Sequence, residues 1–360
     1  MPQSYWRLGL MNHLYLEVTV RCNLACTHCS VRGQSEDRPD PGFDQITEAL
    51  AGFRNVGGEY LTFSGGEPGM RDDLPELIDE AYRLGFRITL FTNGRAASAP
   101  VLEALARASG MLALSLDGPT ALVHEALRGH GTFGPAVDAL GRAVCKLGGE
   151  QVILSCMLSR PLLSEAARMW EFANREGVGV LHFSIFEPVR QGIRHRLAPE
   201  AEELVGPVMR LLDLADERSA VRLAFSERDD LLRGRAVFSR RTPEAVLGKT
   251  IKLQADGWAL PGSHYYAPQF HLGRPIKNGW GETLASPVLG FLRRQVAQRV
   301  SEVGPCGGCF WGDRCAGGSL ALTWATYGTW TRPCPLCHLY QTALDRGAAR
   351  EVHRASATDT

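Results

Sequence analysis

Residues Val18–Gly33 read VTVRCNLACTHCSVRG, with Cys22, Cys26 and Cys29 separated by three residues and then by two. The segment just before them, rich in β-branched and apolar residues, predicts a first strand over Leu14–Val20. The three thiols therefore fall on the loop that leaves this strand. A closed structural zinc site uses four ligands, and a cubane iron–sulfur cluster also offers four metal corners. Three thiolates leave one corner open to a substrate or cofactor. His28 could in principle complete a Cys3His zinc site, but it directly precedes Cys29, and both would strain to reach one tetrahedral ion.

Working outward, 360 residues are enough for a large core, and a hydrophobic content of 44% with 22% charged residues is that of an ordinary globular chain. Lys+Arg and Asp+Glu both total 39, which gives no basic surplus for a nucleic acid or an anionic membrane surface. The opening MPQSYWRLGLMN has no signal-peptide core, and no apolar run reaches the length of a membrane span. The expected compartment is the cytoplasm, where cysteines stay reduced and clusters of them point to metal. Eight of the ten cysteines form two groups: 22, 26 and 29, then 306, 309, 315, 334 and 337. Cys145 and Cys156 stand alone in apolar settings and are expected to be buried thiols.

From residue 13 to about 188, β-rich runs alternate with helical ones. Strands are expected at Leu14–Val20, Tyr60–Phe63, Arg87–Thr92, Met111–Leu116, Val152–Leu158 and Leu181–Phe186, with helices at Phe43–Arg54, Leu74–Leu84, Ala99–Ala108, Pro135–Leu147 and Leu163–Glu176. This alternation predicts an α/β fold with parallel strands and right-handed crossovers. Six strands are too few for an eight-fold barrel, so an open, partial (β/α)6 TIM-like barrel is expected, ahead of a doubly wound sheet. In either case the chemistry belongs at the C-terminal strand ends. Residues 193–250 read as a charged, helical bridge. IKLQADGWALPG (Ile251–Gly262) reads as a hairpin turning at Asp256–Gly257, a helix is expected near Ser286–Val300, and the tail after Arg346 is expected to fray. The chain thus divides into a core (1–192), the bridge (193–250), a cysteine-rich unit (251–345) and the tail (346–360).

The CxxxCxxC loop after a first strand resembles the radical S-adenosylmethionine (SAM) superfamily. The resemblance implies that Cys22, Cys26 and Cys29 hold a [4Fe–4S] cluster whose open iron is chelated by SAM. One electron then cleaves SAM to methionine and a 5′-deoxyadenosyl radical that takes a hydrogen atom from substrate. Ser64–Gly65–Gly66–Glu67–Pro68, at the end of the second strand, matches the family's GGEP motif and implies contact with the SAM amino group. FTNGR (Phe91–Arg95) and SLDG (Ser115–Gly118) end the third and fourth strands. By the same resemblance Asn93, Ser115 and Asp117 face SAM, and Arg128 meets its carboxylate. Asn93–Gly94 is also a plain turn signal, and Arg128 a plain helix-end charge. Glu187, in IFEPVRQG at the sixth strand end, is a candidate for facing substrate.

The second group, CGGCFWGDRC (Cys306–Cys315) followed by CPLC (Cys334–Cys337), reads unaided as a zinc ribbon. It also resembles the SPASM/Twitch-like extension of radical SAM enzymes, which in full form holds two auxiliary [4Fe–4S] clusters. On that pattern the positions falling at Gly262, Asn278 and Ser319 have lost their cysteines, whereas Cys306, Cys309, Cys315 and Cys334 match. The missing three belong to one cluster and the four present form the ligand set of the other, which implies one auxiliary [4Fe–4S] cluster; structural zinc accepts the same four thiolates. Cys337 is left as a plain thiol, an alternative ligand, or a hydrogen-atom donor to a substrate radical.

A fully ligated auxiliary cluster has no open iron and implies electron transfer, hence a net two-electron oxidation. Because only 21 residues precede Cys22, no leader-binding domain fits before the core. This favours dehydrogenation of a small natural-product metabolite, such as an aminocyclitol or aminoglycoside-type sugar. The alternatives are a maturase of a ribosomally made peptide (cross-link or thioether), an epimerase, and a cluster protein that only binds or senses. His264, Tyr265 and Tyr266 join Glu187 as pocket-side candidates. Expected partners are the substrate and an electron donor such as flavodoxin or ferredoxin, with no nucleic acid and no membrane.

Overall fold

The computed structural model describes residues 12–29, 40–185, 194–216, 220–225, 232, 250–262, 265, 267–301 and 304–358. The first part runs β1 (His13–Glu17), α1 (Phe43–Asn55), β2 (Tyr60–Ser64), α2 (Leu74–Arg83), β3 (Arg87–Thr92), α3 (Ala99–Arg107), β4 (Met111–Ser115), α4 (Ala121–Arg128), α5 (Phe133–Leu147), β5 (Val152–Leu158), α6 (Arg160–Leu163), α7 (Ala166–Arg175) and β6 (Val180–Ile185). Then come α8 (Arg194–Leu197), α9 (Ala201–Asp216), β7 (Arg222–Phe225), β8 (Thr250–Leu253) and β9 (Ala259–Leu260). Helices α10 (Pro275–Leu284), α11 (Pro287–Val300), α12 (Gly312–Cys315), α13 (Leu320–Tyr327) and α14 (Cys337–Thr358) complete the chain.

One sheet holds all nine strands in the order β7-β6-β5-β4-β3-β2-β1-β8-β9. Every neighbouring pair from β7 to β8 is parallel, and β9 is antiparallel to β8. The order never reverses from β1 to β7. Right-handed crossovers that all step the same way put every helix on one face, so the partial barrel is the outcome and the doubly wound sheet is not. The six expected strands are present. Two more flank them: β7 falls in the stretch expected to be helical, and the first strand of the expected hairpin extends the core sheet as β8, beside β1. Residues 347–358 continue α14, where a frayed tail was expected.

Strand alternation sorts the side chains. Leu14, Leu16, Leu61, Phe63, Leu90 and Leu112 point to the helices and are at most 2% exposed, each contributing roughly 1.5–3 kcal/mol by burial. Helix α2 answers with Leu74, Leu77, Ile78 and Ala81 on one stripe. The opposite face is polar, with His13, Tyr15 and Glu17 on β1 in register with Thr62 and Ser64 on β2 and Thr250 and Lys252 on β8. His13 bridges three strands, hydrogen-bonding Thr62 Oγ1 through Nε2 (2.8 Å) and Thr250 Oγ1 through Nδ1 (3.1 Å). Lys252 Nζ meets Glu17 Oε1 at 2.6 Å with both side chains almost fully buried. Cys156 is buried as expected. Cys145 is exposed, because it falls off the Ala136–Ala139–Leu140–Ala143 stripe that α5 buries.

The C-terminal part is tied to the barrel at several points. Trp280 of α10 packs on Phe53 (ring centroids 4.7 Å apart) and donates Nε1 to Ala49 O of α1 (2.8 Å). Helix α14 links both halves: Asp345 accepts from Trp311 Nε1 (2.8 Å), and Arg346 donates to Met209 O (3.0 Å) and pairs with Asp213 of α9. Tyr265, Phe270, Leu292, Val296, Leu320 and Ala321 form a second small core. No described helix is long and apolar enough to cross a membrane.

Two outcomes follow. Breaking the buried pair with Glu17→Ala strands Lys252 in the interior and should lower the unfolding free energy by about 3–5 kcal/mol; adding Lys252→Met should recover much of it, as read by anaerobic urea unfolding. Burial holds His13 down at about 4, so between that value and the unfolded value of about 6.5 the unfolded chain binds more protons. Stability is therefore full above about pH 6.5 and falls as the pH drops toward 4, by at most about 3 kcal/mol from this group. His13→Asn should lose less over the same titration.

Candidate active site

The C-terminal strand ends bring the first cysteine group and its neighbours together. The segment Thr19–Arg21, between β1 and Cys22, lies directly on the GGEP turn: Gly66 N donates to Thr19 O (2.7 Å) and Glu67 N to Arg21 O (2.8 Å). A Cβ on Gly65 would sit 2.3 Å from Thr19 O, and one on Gly66 would sit 2.2 Å from Arg21 O. Gly65 also has φ +143, so both glycines are required by close backbone approach. Asp40 holds the other side of the segment, accepting from Thr19 Oγ1 (2.7 Å), Val20 N (3.2 Å) and Arg21 Nε (2.9 Å). Arg71 donates Nη1 to Val18 O (3.1 Å). The sequence reading missed Asp40 and Arg71, since a lone Asp and Arg carry no spacing signal.

Glu67 is 1% exposed. Its Oε1 accepts from Thr92 Oγ1 (2.7 Å) and Gly69 N (3.1 Å), and its Oε2 from Asn93 N (2.7 Å). Burial pushes its carboxyl up, and these hydrogen bonds oppose the push. The carboxylate thus ties the second strand end to the third. Asn93 passes the connection on, donating Nδ2 to Asn23 Oδ1 (2.9 Å) and lying 3.8 Å from Cys22 Sγ. Ser64 Oγ is 2.7 Å from Tyr15 Oη. Ser115 ends β4, in register with Ser155 of β5.

On the far side, Thr27 donates both N (2.8 Å) and Oγ1 (3.2 Å) to Leu127 O at the end of α4. Asp117 is fully buried. Its Oδ2 pairs with Arg128 Nε (2.6 Å) and lies 3.4 Å from His28 Nε2, while Oδ1 accepts from Met157 N (2.8 Å). Burial would raise the Asp117 carboxyl, but Arg128, His28 and the Met157 amide outweigh it and hold it below the usual range. His124, with Nδ1 accepting from Asp117 N (3.1 Å), is brought down to about 4 by burial. Asp117 and Arg128 therefore engage each other and brace the cysteine loop through His28. Sequence reasoning had weighed His28 only as a zinc ligand.

The thiols of Cys22 and Cys26 are both raised, with the neighbouring Cys29 among the causes. Burial is the larger cause, taking Cys26 up to about 11, and Arg128 opposes it. A nearby guanidinium favours thiolates, so the loop suits a cluster held by three cysteines. Among the described residues, no three Cys, His, Asp or Glu side chains converge on a single metal ion. A cubane needs no such convergence, because it takes each thiolate at a different iron.

In the extension, Cys306, Cys309, Cys315, Cys334 and Cys337 line one cavity, with Trp311 and Tyr340. Two CxxC turns present the thiols: Cys309 N donates to Cys306 O (3.1 Å) and Cys337 N to Cys334 O (2.9 Å). Gly318 (φ +72) leaves no room for a side chain, because its Cβ would lie 2.7 Å from Cys334 Cβ. Burial raises the Cys306 thiol, and Arg299 beside it pulls the other way. Cys337 is half-buried among these thiols, with Cys306 and Cys309 adding to the upward push of burial. The positions without cysteine carry other structure. Ser319 caps α13 by accepting from Leu322 N (3.2 Å), and Asn278 is exposed and donates to Glu282 (3.2 Å). Tyr265 packs on Phe270. Glu187, His264 and Tyr266 lie outside the described residues.

The profile of the radical SAM superfamily matches residues 16–157, the stretch that holds the first cysteine group, the GGEP turn and the FTNG and SLDG strand ends. Among curated proteins, the chain is 28% identical to the mycofactocin maturase MftC of Mycobacterium tuberculosis, over 94% of this chain and 85% of that one. It is 32% identical to an AdoMet-dependent heme synthase of Nitratidesulfovibrio vulgaris over 48% of this chain and 47% of that one, and 31% identical to the PqqA peptide cyclase of Streptomyces rochei over 55% of each. Among solved structures, anSMEcpe with bound AdoMet shares the fold with a TM-score of 0.75 at 17% identity, covering 96% of this chain and 99% of that one. Streptococcus suis SuiB bound to S-adenosylmethionine gives 0.73 at 14% identity, over 89% of this chain and 76% of that one. With the barrel, the cysteine loop and these likenesses together, the chain is a radical SAM enzyme, with S-adenosylmethionine and iron–sulfur chemistry as its cofactors and a cysteine-rich C-terminal region after its barrel.

Proposed function

We propose that this enzyme is a maturase of a ribosomally made peptide. The observation that carries this is the likeness to a mycofactocin maturase along 94% of the chain, through barrel and extension alike. The PqqA peptide cyclase adds a relative that by its name acts on a peptide. The heme synthases match only about half of the chain. None of these relatives is an aminocyclitol or aminoglycoside dehydrogenase, so the small-metabolite substrate expected from the sequence gives way to the peptide. The short stretch before Cys22 had favoured the metabolite, but a separate carrier can present a peptide to the barrel.

In this proposal Cys22, Cys26 and Cys29 hold the cluster that binds SAM. Bound there, it supplies the electron that cleaves SAM to methionine and a 5′-deoxyadenosyl radical. The chain's own residues do the positioning. Gly65 and Gly66 keep the Thr19–Arg21 backbone against the second strand end, and the turn they make, with Ser64, Asn93 and Ser115, is assigned to SAM. Glu67, Asp117 and Arg128 act from behind, orienting the turn and the cysteine loop through hydrogen bonds that leave the two buried carboxylates engaged. Cys306, Cys309, Cys315 and Cys334 hold an auxiliary [4Fe–4S] cluster whose chemistry, when bound, is electron acceptance. With both groups bound, the peptide would lose a hydrogen atom to the 5′-deoxyadenosyl radical, an electron to the auxiliary cluster and a proton to solvent, a net two-electron oxidation such as a cross-link or desaturation. Glu187 is assigned to the substrate side, and Cys337 is the spare thiol of the auxiliary site or a hydrogen-atom donor. A flavodoxin or ferredoxin in a reducing cytoplasm is the matching electron source.

Iron content after anaerobic reconstitution tests the ligand sets. Wild type should hold about eight irons. Cys22/Cys26/Cys29→Ala and Cys334→Ala should each hold about four, and Cys337→Ala about eight. About four irons with one zinc, all iron being lost in the triple variant, would make the extension structural. The substrate class is tested with SAM, reductant and a candidate precursor peptide, sought as a short reading frame near the gene. 5′-Deoxyadenosine should form in step with a peptide product about two mass units lighter, as two hydrogens leave. Turnover on an aminocyclitol with none on the peptide would overturn the proposal.

A further inference from the structure

Arg299, near the end of α11, is the largest fully buried side chain of the described chain, at 2% exposure. It sits behind the C-terminal cysteines and not on the surface, where a guanidinium normally stays. Its Nη2 donates to Gly317 O (2.6 Å), just after Cys315, and to Arg332 O (3.1 Å), just before Cys334. Nε and Nη1 make no well-aligned hydrogen bond among the described residues, and no described carboxylate pairs with the group. Gly317, at φ +77, is bare where a Cβ would come within 2.8 Å of Arg299 Nε. The fold thus makes room for this cation beside Cys306. A buried unpaired guanidinium costs several kcal/mol unless an anion compensates it. The only concentration of potential negative charge described around it is the thiols of the cysteine cavity.

Resting on the auxiliary-cluster assignment above, we propose that Arg299 is the counter-cation of the C-terminal cluster and raises its reduction potential, poising it to accept an electron. A [4Fe–4S] cluster with four thiolates carries a net charge of about −2 when oxidised and about −3 when reduced. A fixed buried cation stabilises the second state more, because the attraction scales with charge and is weakly screened in the interior. Its two carbonyl contacts place the guanidinium between the segments that carry Cys315 and Cys334, so Arg299 is a positioning and tuning residue, not a catalytic one.

The test uses the full chain carrying Cys22/Cys26/Cys29→Ala, so that the only iron is at the C-terminal site, and reads iron content and midpoint potential by anaerobic redox titration. Arg299→Met should keep about four irons and shift the reduction equilibrium toward the oxidised form at least tenfold, about 59 mV for one electron. Arg299→Lys, which keeps the charge without the planar fork, should stay within about threefold of the parent. If Arg299→Met holds no cluster, iron retained in Arg299→Lys at near-parent potential supports the charge role. An unmoved potential in Arg299→Met overturns it, as does an equal loss of cluster in both variants, which would reduce Arg299 to a carbonyl staple. If the parent triple variant holds no iron, the auxiliary-cluster assignment itself fails and this proposal falls with it.

Discussion

The arrangement at the strand ends depends on one backbone-to-backbone contact. The carbonyls of Thr19 and Arg21 accept from the amides of Gly66 and Glu67, across a gap that any Cβ at residues 65 or 66 would close. This contact sets where the chain stands as it enters Cys22. Asp40 and Arg71 secure the same segment from outside, and Glu67 carries the constraint on to Asn93, which reaches back to the cysteine loop. A loop with three thiols must hold them in one spatial pattern without a fourth ligand to close the ring. Here its rigidity comes from the sheet beneath it.

Three of the places where the described residues bury charge differ in what neighbours it. Glu17 and Lys252 neutralise one another inside the barrel, joining β1 to β8. Asp117 gathers Arg128, His28 and the Met157 amide, so that a carboxylate with no solvent exposure brings α4, β5 and the cysteine loop together. Arg299 alone has carbonyls and thiols in place of a carboxylate. Buried charges of this kind are costly, and two of the three lie directly behind a cysteine group.

Barrel and extension are built into each other. Strand β8 adds to the core sheet before β9 turns back toward the cysteine-rich part, Trp280 locks α10 onto α1, and α14 spans from the Cys337 cavity to α9. The cysteine cavity is therefore carried on the frame that carries the first cysteine loop, which suits the two sites to one reaction.

Local pattern determined much of this protein. Strand–helix alternation specified the parallel barrel, and the CxxxCxxC and GGEP signatures marked both its catalytic end and its chemistry, because these depend on period and spacing along the chain. The resemblance places the absent cysteines at Gly262, Asn278 and Ser319, but that Ser319 caps a helix came only from the structure. Strand β7, four residues long, carries too little periodicity to be seen, and the membership of β8 in the core sheet is a long-range pairing with no local sign. The partners of Glu67, Asp117, Arg128 and Arg299 were decided only by the tertiary structure. A charged residue in a sequence reads the same whether it meets water, a ligand or another buried charge, and only the packing of elements far apart in the chain determines which.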